Sequence, residues 1–176
     1  GYSSNRPILE YAILREYLSP KVKKVIWSYF EGNDLNDLKR EKRNKILTSY
    51  LKNQKFTQNL KSKQTVIDSF LRNNIENSIK NKIKTKNNQN KRFKILEFII
   101  LENFRETFLK TKTPILDLKK VLEQTKNLTL KNRSELYFVY LPSYKRYKNK
   151  YFNNKNYNYV KKIVNDLDIK FIDIDK

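Results

Sequence analysis

The run Lys24-Val25-Ile26-Trp27-Ser28-Tyr29-Phe30 is dense in β-branched and aromatic residues and stops abruptly at Glu31-Gly32-Asn33-Asp34. It predicts a strand over 22–30, apolar enough to be buried on both faces. A strand that halts at Gly-Asn-Asp delivers polar groups to the carboxyl edge of a sheet. Ligands and chemistry collect at that edge in open α/β folds. The chain has only two glycines, Gly1 and Gly32. Gly32 therefore answers a backbone need, either positive φ or close approach of another group.

The segments around this strand have mixed periodicity. Pro7 suits a helix first turn, and Ile8, Tyr11, Ala12, Leu14 and Leu18 recur at helical spacing up to Ser19-Pro20. Residues 37–64 are polar with scattered apolar anchors, and 65–83 repeats with helical period. The span 84–92 reads as a Lys/Asn-rich loop, and 93–109 as a strongly apolar helix. A helix over 117–127, a strand over 135–141, a helix over 157–167 and a strand over 170–174 complete the pattern. Apolar strands separated by helices predict an α/β fold with a parallel sheet covered on both faces.

Composition narrows the function classes. The chain has 176 residues, 38% hydrophobic and 13% aromatic, which argues for one domain with a real core and against global disorder. No apolar run reaches the roughly 18 residues that span a membrane, and no signal-like segment opens the chain. There is no cysteine, which excludes disulfides and thiolate metal sites. There is no histidine, so a His-dependent base, triad or metal site cannot be completed within these residues. Methionine is absent too, and the chain reads as a piece of a longer protein. The formal net charge is +21, which would suit a polyanionic partner. Lysine far outnumbers arginine, and asparagine is abundant, which is equally the signature of an AT-rich coding sequence.

The motif Trp27-Ser28-Tyr29-Phe30-Glu31-Gly32-Asn33-Asp34-Leu35 resembles the third block of the SGNH (GDSL-type) hydrolase superfamily, Gly-Asn-Asp after a buried strand. The opening Gly1-Tyr2-Ser3-Ser4-Asn5-Arg6-Pro7 resembles the second-block loop. Phe138-Val139-Tyr140-Leu141-Pro142 and Phe171-Ile172-Asp173-Ile174 look like the last two strands of a subgroup of that family. The resemblance implies a flavodoxin-like three-layer parallel sheet with helices on both faces, incomplete here. It further implies a single partial domain over 1–176 with a helical and loop insertion around 39–92.

By the same resemblance the function is that of the central portion of a serine ester hydrolase acting on acylated carbohydrate or lipid esters. Asn33 would supply the oxyanion-hole side chain and Gly32 the turn that places it. The backbone N–H of Ser4 or Gly1 would be a second donor. The family's serine nucleophile and its Asp-x-x-His block match nothing in the chain, so residues 1–176 alone are expected to be inactive. No cofactor and no metal are implied. Many members of the subgroup belong to the cell envelope, although nothing in this chain carries an export signal.

Other readings stand beside this one. Asn33 could simply shape the strand exit. Asp34 could cap the turn that follows, or stand with Glu31 and Tyr144 at the substrate edge. Glu31 could instead pair with a nearby lysine, and Trp27 reads as core. Ser3 and Ser4 lack the context of a nucleophile, and Asp173 and Asp175 sit at a strand end. The stretch Tyr144-Lys145-Arg146-Tyr147-Lys148-Asn149-Lys150-Tyr151-Phe152 interleaves cations with aromatics, as a single-stranded nucleic-acid surface does. The alternatives to an ester hydrolase are thus a basic nucleic-acid-binding module or a catalytically inactive, glycan-binding relative.

Overall fold

A computed structural model describes residues 6–85, 114–148 and 155–174. The chain divides into two compact units, residues 1–59 with 113–176, and residues 60–112. The first carries α1 (Pro7–Tyr17), β1 (Lys24–Phe30), α2 (Asp34–Glu41), α3 (Lys45–Lys52), α5 (Ile115–Lys131), β2 (Glu135–Leu141), α6 (Tyr144–Lys148), α7 (Lys155–Asp166) and β3 (Lys170–Asp173). The second carries a 3₁₀ turn, Lys61–Lys63, and α4 (Gln64–Thr85), whose Val66, Phe70, Leu71, Ile75 and Ile79 are exposed. The expected helix over 93–109 and most of the expected loop over 84–92 lie outside the described residues.

The first unit is an α/β fold, a three-stranded parallel sheet in the order β1-β2-β3 flanked by helices, consistent with an incomplete flavodoxin-like arrangement. Each connection steps one strand in the same direction. Right-handed crossovers then place both connecting helices on one face. The core agrees: Trp27 and Tyr29 of β1, Phe138 and Tyr140 of β2 and Phe171 of β3 pack with α1, α5 and α7 through Ile8, Tyr11, Leu118, Val121, Val160 and Val164. Tyr29 and Phe138 stack at 5.6 Å, and Phe138 and Phe171 at 5.8 Å, so one aromatic layer crosses all three strands.

The alternate residues differ from the sequence expectation. Ile26 is 67% exposed and Ile172 is 43% exposed, so β1 is not buried on both faces. Apolar character on the second face is present in the sequence, but no described element covers it. β1 is also an edge strand of the described sheet, with β2 in the centre.

Helix α2 and helix α3, the latter within the expected insertion around 39–92, lie in the first unit. Leu38 and Tyr50 are among its fully buried side chains. Polar groups lock them in place. Arg15 of α1 donates to the carbonyls of Tyr50, Asn53, Gln54 and Phe56 at 2.6–3.1 Å. Glu16 accepts from the Tyr50 hydroxyl at 2.6 Å and from the Gln58 N–H at 2.8 Å. Residue 6 lends α1 no side-chain cap. Instead the Glu41 carboxylate, from α2, accepts the Ile8 and Leu9 N–H groups, both at 2.9 Å. These are two of the N–H groups that a helix start leaves without partners.

Candidate functional site at the carboxyl edge of the sheet

Because the three strands are parallel, their carboxyl ends share one rim. Glu31 continues the β1–β2 ladder by one bond, its N–H donating to the Leu141 carbonyl at 3.0 Å. Its carboxylate then turns toward the end of β2. Oε2 accepts the Ser143 N–H at 2.9 Å, and Oε1 pairs with the Arg146 guanidinium at 3.0 Å. The two side chains are 6% and 13% exposed, so the pair is largely desolvated. The guanidinium also stands 5.5 Å from the Tyr140 ring centroid and 5.0 Å from that of Tyr157. Tyr157 in turn donates to Asp173 at the end of β3, at 2.6 Å. Charge, hydrogen bonds and ring faces thus tie the exits of all three strands together. Glu31, expected to face substrate or to pair with a lysine, pairs with an arginine.

Gly32 has no positive φ. The close-approach alternative holds: a Cβ at this position would lie 2.4 and 2.7 Å from atoms of the Phe30 ring. The Phe30 ring folds back over the turn, and any side chain at residue 32 would require that ring to shift.

Asn33 stands at the N-cap position of α2, with φ −144° and ψ −18°, yet its side chain makes no capping bond. Its carbonyl accepts the Asp37 N–H at 2.8 Å, while its Nδ2 donates to Asp37 Oδ2 at 2.8 Å. Asp37 is itself held by Arg40 at 3.1 Å. A primary amide has two N–H groups. One is committed to Asp37, and the other has no partner among the described residues. Asn33 is exposed at the rim.

Asp34 is fully buried and does not cap α2 forward. Its Oδ2 reaches back to the Phe30 N–H at 2.8 Å, and Oδ1 has no partner among the described residues. Burial pushes its carboxyl up to about 7, against the opposing Phe30 hydrogen bond and with repulsion from Asp37 and Glu41. Glu10 on α1 behaves alike. Burial, then the charges of Asp34 and Glu41, push it up to about 8, and its buried Oε2 has no partner among the described residues. Burial also raises Tyr29, in the field of Asp34 and Glu31, and Tyr140, beside Glu31.

No family model matches this sequence. No curated protein and no solved structure matches it either.

The remaining candidates are soon placed. Tyr144, the first residue of α6, is 73% exposed next to the Ser143–Glu31 bond. Trp27 lies in the core. Gly1, Ser3, Ser4, Asp175 and residues 149–154 fall outside the described residues. Among the described residues no group of His, Cys, Asp and Glu could hold a metal ion, and no helix is long and apolar enough to cross a membrane. Sequence reasoning did not single out Arg146, Asp37 or Glu10. For Arg146 a signal existed: in so lysine-rich a chain, an arginine marks a place where a planar fork is needed. For Asp37 the signal was its spacing, one helical turn beyond Asn33.

Proposed function

We propose that this chain contributes the oxyanion-binding portion of a serine ester hydrolase of SGNH type, acting on acylated carbohydrate or lipid esters. The observation that carries the reading is the Asn33 side chain. It stands at the carboxyl edge of a parallel sheet, one N–H anchored on Asp37 at 2.8 Å, the other without a partner among the described residues, and its side chain makes no capping bond. An oxyanion developing in the transition state is stabilised by such a fixed neutral donor, which needs no reorganisation when charge appears. A backbone N–H of Ser4 or Gly1 would complete the hole. The serine nucleophile and the histidine base come from outside residues 1–176, which contain no histidine.

The test is turnover of p-nitrophenyl acetate by the protein as its full gene encodes it. Asn33→Ala is expected to lower kcat by about 10²- to 10³-fold, the usual loss for one oxyanion donor. Residues 1–176 alone are expected to show no turnover. An unchanged rate in the Asn33 variant refutes the reading.

A second reading, a basic module for nucleic acid, draws on the net charge of +21 and on exposed Tyr144, Tyr147 and Tyr159. It predicts affinity for single strands that falls steeply with salt. Glycan binding without turnover would mark an inactive relative.

A further inference from the structure

We propose that Glu31 and Arg146 are positioning residues for Asn33, an assignment that rests on reading Asn33 as an oxyanion donor. Asn33 sits on a turn with two fixed ends. On the far side, its own carbonyl and amide are bound to Asp37 in the first turns of α2. On the near side, Glu31 is bound three ways: its N–H to Leu141, and its carboxylate to the Ser143 N–H and to Arg146. Between the two ends stands Gly32, the residue with least intrinsic stiffness. The height of the Asn33 amide above the rim is therefore set by where Glu31 is pinned.

Arg146 does the pinning from a different strand exit. Its guanidinium reaches Glu31 while resting against Tyr140 and Tyr157, and Tyr157 is held by Asp173. Asn33 is thereby referenced to the ends of β2 and β3 as well as to its own strand. An amide so held keeps its place when charge appears on a substrate oxygen. One on a loose Gly-Asn turn would have to be ordered at that moment, and misplacement by about 1 Å can lower a rate 10²-fold. Lysine cannot replace the arginine, because an ammonium has neither the planar fork nor the stacking face.

The experiment compares Asn33→Ala, Glu31→Gln and Arg146→Lys in the full-length protein with p-nitrophenyl acetate. NMR of the ¹⁵N-labelled asparagine side chains and melting curves accompany it. Glu31→Gln and Arg146→Lys are expected to lower kcat about 10- to 100-fold with KM within about twofold, in protein that still melts cooperatively. Both should shift or broaden the Asn33 side-chain amide pair. If Asn33→Ala abolishes turnover while these two leave kcat intact, the positioning role is overturned and the oxyanion reading survives. If Asn33→Ala leaves the rate intact, the oxyanion reading falls, and this assignment with it. If the protein turns over no ester, the spectra decide: an Asn33 amide pair unmoved in Arg146→Lys overturns the pinning.

Discussion

Two acidic regions flank the turn after β1, and they are treated in opposite ways. Glu31 is buried with its charge answered, by a backbone N–H on one oxygen and a guanidinium on the other. Asp34, buried three residues on, and Glu10, half-buried on α1, each have one buried oxygen without a partner among the described residues. The first arrangement gives each oxygen of a buried carboxylate a donor. The second pushes its carboxyls toward the protonated form, up to about 7 for Asp34 and about 8 for Glu10. Hydrogen bonds to a buried carboxylate favour its charged form, and burial and neighbouring acids disfavour it. Asn33 lies between the two, one end of its turn set by the Glu31–Arg146 pair and the other adjoining Asp34, whose carboxyl is pushed up to about 7.

The largest effect should come from breaking the answered side. Arg146→Ala leaves Glu31 buried without its charged partner, and removing one member of a buried pair typically costs about 3–5 kcal/mol. Urea denaturation at pH 7 should show a loss of that order. Asp34→Asn should cost far less, because an amide oxygen can still accept the Phe30 N–H while the repulsion with Glu10 and Glu41 disappears. Equal losses in the two variants would erase the distinction between the regions.

The next effect is a pH dependence that belongs to the unanswered side. Glu10 and Asp34 hold protons in the folded protein that the unfolded chain, with ordinary values of 4.5 and 3.8, has already released. Folding therefore takes up protons between about pH 4 and pH 8, and stability falls as pH rises through that window. Their contribution is complete below the unfolded values and lost above the folded ones. The groups in play are Asp37 and Glu41 on α2 and Tyr29 on β1, with Arg6 opposing through Glu41. Glu10→Gln should flatten the profile, gaining roughly 2 kcal/mol on the parent between pH 5 and pH 8.5. The difference between the two proteins is the quantity to follow, since a chain of net charge +21 repels itself more strongly in acid. Parallel profiles would show that Glu10 titrates normally.

What could be read from the sequence follows the same division. The strands were legible because side-chain chemistry along seven residues repeats locally: Glu135–Leu141 could be bounded from its aromatic and β-branched content. The Asn33 turn was legible because Gly-Asn-Asp is a local motif. The two acidic regions were not. Glu31 finds Arg146 from 115 positions away, and Glu41 caps α1 across 33. Such partnerships exist only once the sheet is assembled. Asp34, expected to cap the turn that follows, is the first residue of α2 and bonds backwards to Phe30. Helix α3 looked like part of an insertion because residues 37–64 are polar with scattered apolar anchors. Long-range bonds from Arg15 and Glu16, with few apolar anchors, carry the packing of the segment around α3.

The smallest effect discriminates most finely between structure and function at Asn33. Asn44 offers an internal standard: it also precedes a helix, and its side chain accepts the N–H groups of Ile46 and Leu47 at 2.9 and 3.2 Å. Removing such a cap by Asn44→Ala should cost about 1 kcal/mol. Asn33 has the same position relative to α2 and makes no such bond. Its one side-chain bond goes to Asp37, which keeps Arg40 as a partner when the amide is gone. Asn33→Ala should therefore cost less than Asn44→Ala, by thermal or urea denaturation of the same preparation. A smaller loss at residue 33 than at residue 44 would fit the proposed role of its second N–H, which has no partner among the described residues. A loss at residue 33 as large as that at residue 44 would return Asn33 to the role of shaping a strand exit.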